Sequence, residues 1–259
     1  EGSVSYLYYG NRLVQFPLGV FGIAMGIALL PTLSAHAARR EMEQLIETLG
    51  FAIRLVLFIT IPATMGLIIL RYPIVQTLFE RGQFTAASTQ GAAFALLFYA
   101  VGLCAFAGVK VIVPAFYSME DTATPMKISI YAVGLNIVLS LLLMGPLRHG
   151  GLALATSLAS MFNVLSLLVI FKNRVGRIGG RRILASTAKL AGSSAVMGIA
   201  AAWMAHRWVA EAATAAGRGA ALATVILAGM AIYVGCSYAL RCEELTFLVR
   251  TLRERYAKT

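Results

Sequence analysis

Charged side chains are scarce in this 259-residue sequence: they make up 13% of it, against about 25% in an ordinary soluble domain. Hydrophobic residues fill 59%, and the mean hydropathy is +0.79. A water-soluble globule of this size has no interior large enough to hide so much apolar surface. That excludes an ordinary soluble enzyme and a disordered chain. Cysteine is sparse too. Cys104, Cys236 and Cys242 lie far apart and form no CxxC pair, so neither a disulfide scaffold nor a zinc, haem or redox-pair site follows. They read as buried or membrane-facing thiols. Catalytic patterns such as HExxH and GxSxG are missing. His36, His149 and His206 fall at different span ends and read as interfacial residues rather than metal ligands. No enzyme, metal site or resident cofactor is expected. The remaining class is an all-α integral membrane protein.

A spanning helix needs about 20 mostly apolar residues. Seven stretches qualify, at roughly 5–34, 49–70, 91–116, 125–144, 150–172, 183–208 and 219–241. They are long, continuous and without period-two alternation, so helices are preferred over barrel strands. All eleven acidic residues lie outside the apolar cores of these runs. A proton relay normally needs a buried Asp or Glu, and none is supplied. The chain begins Glu-Gly without a secretory leader pattern, and it is expected to be part of a longer protein.

The formal net charge is +11. In a membrane chain such a balance points to basic cytoplasmic loops rather than to nucleic acid. Thirteen Lys and Arg fall in alternate connections and the tail, and five, Arg71, Arg81, Arg148, Arg207 and Arg218, fall in the others. With seven spans this bias predicts an outside N-terminus and a cytoplasmic C-terminus. The first connection carries Met42, Leu45, Ile46 and Leu49 at helical spacing. It reads either as an amphipathic surface helix or as an extension of the second span. The fifth connection, KNRVGRIGGRR, is glycine-rich and basic. It reads as a solvated linker that can also touch phospholipid headgroups, and it has no Walker spacing.

Four cations fall within spans: Arg12, Arg54, Lys110 and Lys189. Arg54 and Lys189 lie near cytoplasmic span ends and read as snorkelling side chains. Lys110 reads the same way, with a functional role as the alternative. Arg12 is open to two readings. As an anchor, it holds the outer end of the first span at the interface, beside Tyr6, Tyr8 and Tyr9. As a binding group, it faces a polar cavity and receives an anion, because its five donors form a fork that fits phosphate oxygens. Tyr8, Tyr9, Gln15 and Phe16 are three or four residues away and therefore near its face.

Pro17, Gly19, Gly22 and Gly26 make the same span a candidate hinge. Pro17 removes a backbone hydrogen bond, and Gly22 with Gly26 forms a GxxxG close-packing pattern. Ordinary membrane-helix usage is the bland alternative. Pro62 and Gly66 give the second span a similar weak point. Asn136, Ser140 and Thr156, with neighbouring Ser157, Ser160 and Asn163, place neutral oxygens on two adjacent spans. They form either a monovalent-cation site or interhelical hydrogen bonds.

Four segments, in order, resemble one known family. GSVSYLYYGNRLVQFPLGVFGIAMGIALLPTLS (2–34), LFERGQFT (78–85), VKVIVPAFYSMEDTATPMKI (109–128) and GPLRHGGLALATSLAS (145–160) are similar to motifs of the MurJ/MviN lipid II flippases, relatives of the multidrug and oligosaccharidyl-lipid exporters. The resemblance is strong over 2–172 and rests only on hydropathy beyond. It implies fourteen helices in the whole protein, two lobes around a central cavity and two extra helices. The seven spans would then be the eighth to fourteenth, with the N-terminal half missing. It divides the chain into five lobe spans (1–172), two additional helices with a possible groove for a prenyl tail (173–241) and a basic cytoplasmic tail (242–259).

The resemblance also implies a function: translocating lipid II, the undecaprenyl-diphosphate-linked peptidoglycan precursor, across the bacterial inner membrane by alternating access. Partners would be that lipid, membrane lipids and the N-terminal half. Arg12 matches the family's cavity arginine. Gln15 stands where some members carry Glu, and FYSMED lacks the basic residue often found after FYS. The alternatives are a drug or cation exporter on the same architecture, or a non-transporting scaffold for cell-wall synthesis.

Overall fold

The computed structural model describes residues 2–19, 24–176, 178–209 and 214–247. These residues include the α-helices α1 (Ser3–Pro17), α2 (Ala24–Ala38), α3 (Met42–Ile69), α4 (Arg71–Phe79), α5 (Ala86–Val101), α6 (Leu103–Ser118), α7 (Ala123–Leu147), α8 (His149–Val175), α9 (Gly180–Met204) and α10 (Ala215–Ala239). A π-helical turn, Ala205–Val209, prolongs α9. Five helices are long and apolar enough to cross a membrane, and a sixth span is added if the bent pair α5–α6 is one crossing. The expected spans at 49–70, 125–144, 150–172, 183–208 and 219–241 each fall on one of the five. The expected first span falls on α1 and α2, with residues 20–23 between them outside the described residues.

The spans pack through small residues. Ala52, Ala92, Ala95, Ala107, Ala115 and Ala155 are all wholly buried. Lipid supplies no hydrophobic drive for one helix to leave it for another, so close van der Waals contact must hold the helices together, and alanine and glycine permit it. α3 is the central post: its side chains enter the cluster with α2, α6 and α8 at one end and the cluster with α9 and α10 at the other. Leu45 and Leu49 are fully buried in the first of these. Residues 42–49 are therefore the first turns of a continuous α3, not a separate helix on the membrane surface. At the opposite extreme α7 packs mainly on α8. Ile130, Tyr131, Leu141 and Leu142 stay 62–68% exposed, a surface that only lipid or further protein would cover.

Each break in a spanning helix leaves a carbonyl that hydrocarbon cannot satisfy, and at two of them a side chain from another helix supplies the donor. Pro62 has no N–H for the carbonyl of Phe58, four residues back. Tyr233 of α10 donates its hydroxyl to that oxygen at 2.6 Å, so the expected weak point in the second span is bolted. The expected span at 91–116 is bent by 42° between α5 and α6. There Gly102 donates to Tyr99 rather than to Phe98, and Ser157 of α8 donates to the freed Phe98 carbonyl at 2.7 Å. The position must be glycine, because a Cβ on Gly102 would lie 2.4 Å from Ser157 Oγ.

Candidate functional site

α1 turns one face inward and leaves the other open. Gly10 and Val14 are buried against α5, where a Cβ on Gly10 would meet the Leu96 amide nitrogen at 3.1 Å. The opposite face carries Tyr8, Arg12, Gln15 and Phe16, all exposed, with Tyr8 at 60% and Phe16 at 74%. Their spacing of three and four residues puts them on one stripe, as the sequence predicts.

Tyr9 is the exception. It sits on the flank shared with Leu13, where the 78–85 loop closes over it: its ring packs 4.7 Å from Phe79 and 5.1 Å from Phe84. Glu80 fixes that loop by accepting from Thr89 at 2.7 Å and from Gln76 at 3.2 Å. Gly82 turns it at φ 57°. The LFERGQFT motif thus clamps the flank of α1 and holds the Arg12 face outward.

Of the four cations within spans, two are tied and two are free. Arg54 donates to Glu243 at 2.6 Å and lies 3.7 Å from Glu244, whose side chain is 2% exposed. Ser186 of α9 donates to the same Glu244 at 2.9 Å. Lys189 donates to the Leu240 carbonyl at 3.2 Å. These groups join α3, α9 and the segment after α10 into one lock. Snorkelling does not describe Arg54, which has a buried counter-ion. The sequence holds a signal for it: an arginine inside a span needs a partner, and Glu243 and Glu244 follow the last span at the same membrane face.

Arg12 and Lys110 have no hydrogen-bond or ion-pair partner among the described residues. Lys110 lines a cavity of about 380 Å³ shared with Ser129, Asn136, Thr156, Ser160 and Asn163. There Asn136 donates to Thr156 at 3.2 Å and accepts from Ser140 at 3.4 Å, while Thr156 donates to the Leu152 carbonyl at 2.9 Å. The three residues named for a cation are therefore gathered, and they are bonded to one another. Asn163 leaves its side-chain oxygen buried without a partner.

The hinge candidates separate. Pro17 ends α1, and the chain loosens into a π turn at Leu18 and Gly19. Gly19 has open space around it. Gly22 lies outside the described residues. Gly26 is a packing contact: its Cβ would come 2.9 Å from the Lys110 carbonyl, which Pro114 deprives of a helical donor. In the membrane-surface turns, Asp121 accepts from the Thr124 amide at 2.9 Å and pairs with Arg174. The expected signature segment at 109–128 is thereby clipped to the end of α8.

An all-helical bundle with five apolar helices long enough to cross a membrane, and an unpartnered arginine on an open helix face, defines part of a polytopic membrane protein. A family model described as lipid II flippase MurJ matches residues 1–216, and the chain belongs to that family. A protein of Rhizobium tropici described as a probable lipid II flippase MurJ is 34% identical over 258 residues, 98% of this chain and 48% of that protein. Another so described, from Vibrio cholerae, is 41% identical over 163 residues, 63% of this chain and 31% of its own length. The solved structure of lipid II flippase MurJ in an inward closed conformation matches with a TM-score of 0.74 and 26% identity, over 93% of this chain and 47% of that one. The chain spans about half the length of the relatives it matches over almost its whole length.

Proposed function

We propose that this chain is the C-terminal half of a lipid II flippase of the bacterial inner membrane. It would carry the eighth to fourteenth of fourteen helices, with its start outside and its end in the cytoplasm. The diphosphate and sugar-peptide head of the precursor cannot enter hydrocarbon unaided. In this reading Arg12 receives the diphosphate in a cavity between two lobes, with Tyr8, Gln15 and Phe16 beside it, while the prenyl tail stays in lipid. Alternating access then exposes the cavity to each face in turn, with the loosened chain after Pro17 as the flexing point. The observation that carries the reading is the free guanidinium of Arg12 on an open face, while Arg54 has a counter-ion. Lys110 supplies a second unpaired cation, and the carboxylates of the described spanning helices, Glu43 and Glu47, sit in the first turns of α3 and outside its apolar core, which disfavours a cationic drug as cargo.

The Asn136, Ser140 and Thr156 oxygens fit a weak monovalent-cation site: three neutral donors converge, and a cation would have to break the bonds among them. Without a carboxylate on these helices, firm binding would require one from the N-terminal half. The two extra helices, α9 and α10, would take the prenyl tail. Part of their small-residue stripe serves packing instead, since a Cβ on Gly198 would lie 2.6 Å from Ile69.

Arg12→Ala in the full-length protein tests the reading by complementation and by a lipid II translocation assay. Loss of both at normal membrane levels is expected, with partial return in Arg12→Lys. Normal growth and translocation in Arg12→Ala would remove this residue from the site.

A further inference from the structure

A crevice lies away from Arg12, between α8 and α9 beside the glycine-rich fifth connection. It has a volume of about 620 Å³. Leu165, Leu168, Ile183 and Leu184 form its walls, and Lys172 and Arg181 stand at its mouth. Its lining runs along α8 from Leu165 to Lys172, seven residue steps, or about 10 Å at 1.5 Å per residue. That is an apolar slot with a cationic rim, at the level where a spanning helix leaves the membrane.

The chain geometry builds the rim. Gly176 closes α8 at φ 120° and Gly179 opens α9 at φ 69°, conformations that side-chain-bearing residues rarely take. Both basic side chains are exposed and have no ion-pair or hydrogen-bond partner among the described residues. No acidic residue lines the crevice. The nearby Asp121 is already engaged by Arg174. The Gly180 and Arg181 amides stand in the first turn of α9, where helical donors are unpaired and the dipole is positive.

We infer that this crevice seats one anionic diacyl phospholipid, its phosphate between Lys172 and Arg181 and an acyl chain against Leu168 and Leu184. The inference rests on the membrane reading above, which places this end of the bundle in the cytoplasmic leaflet. Charge complementarity selects the occupant: a zwitterionic lipid brings its own cation to a rim that already has two. The apolar walls separate a lipid from free phosphate.

The test is native mass spectrometry of the full-length protein titrated with phosphatidylglycerol, phosphatidylcholine, undecaprenyl phosphate and inorganic phosphate. Phosphatidylglycerol should be retained over phosphatidylcholine by about tenfold or more, each basic group near the headgroup contributing about fivefold. Lys172→Gln with Arg181→Gln should abolish the preference, while Arg39→Gln with Arg40→Gln, at the same face but off the crevice, should keep it. Leu168→Trp should lower retention with both charges intact. In the unaltered protein, raising salt to about 0.5 M should shrink the preference, a readout that no variant's folding affects. Equal retention of the two phospholipids, or an unchanged preference in the glutamine variant, overturns the proposal. Displacement by undecaprenyl phosphate reassigns the crevice to substrate, and displacement by inorganic phosphate makes it a headgroup site only. Each of these also overturns it. None depends on translocation, so the flippase reading stands or falls separately on Arg12.

Discussion

Tyr233 donates its hydroxyl to the backbone carbonyl of Phe58 at 2.6 Å across the contact between α10 and α3. That carbonyl is the one Pro62 leaves without a helical donor. Two residues 171 positions apart in sequence, Pro62 and Tyr233, thus complete one backbone bond, and the second extra helix is held to the central post at its only proline.

Tyr233→Phe in the full-length protein is expected to lower stability by about 1 kcal/mol, the scale of an interhelical hydrogen bond in a membrane. Pro62→Ala restores an N–H at position 62 and should cancel that loss. Thermal melts of the two single variants and the double variant check it. Simple additivity would show that the two residues act independently.

Arg54 and Glu244 predict an asymmetry between neighbouring carboxylates. Glu244 is buried and Glu243 is 73% exposed. Arg54→Ala strands the buried charge and should destabilise by up to about 3–5 kcal/mol, whereas Glu243→Gln should cost no more than about 1 kcal/mol. Limited proteolysis after α10, together with thermal melts, reads the difference. Equal effects of the two would contradict the lock.

Acid should loosen the same membrane face. Glu243 is held below the usual carboxylate range by the hydrogen bond from Arg54 and then by its charge. Asp121 is held down by its hydrogen bonds with Thr124 and then by Arg174. Both folded values lie below the unfolded ones, so their contribution is present above about pH 4 and is lost as pH falls through the folded values. Thermal stability should therefore drop on acidification below about pH 4, and Glu243→Gln with Asp121→Asn should flatten that part of the profile.

Tyr8 and Tyr9 should part company. Tyr9→Ala empties the space between Phe79 and Phe84 and is expected to cost about 3 kcal/mol, lowering protein level and melting temperature. Tyr8→Ala, on the open stripe with Arg12, should leave the melting temperature unchanged and reduce translocation. A stable Tyr9→Ala protein would dissolve the clamp assigned to the 78–85 loop.

The sequence by itself determined the all-helical membrane class and the positions of most spans, because runs of about 20 apolar residues have few ways to satisfy their backbone in lipid. It also put Tyr8, Arg12, Gln15 and Phe16 on one stripe, because helical spacing is local. Only the tertiary structure decided which cations are paired, that Tyr9 turns to Phe79 and Phe84, that residues 42–49 belong to the core and that Pro62 is bridged rather than weak. The partners of Tyr9, Phe58 and Arg54 lie 70 to 189 residues away, and a spacing rule reaches only one or two turns. Arg54 shows the division plainly: its place in a span is written in the sequence, but its counter-ion is brought to it by the packing of α10 on α9 and of α9 on α3.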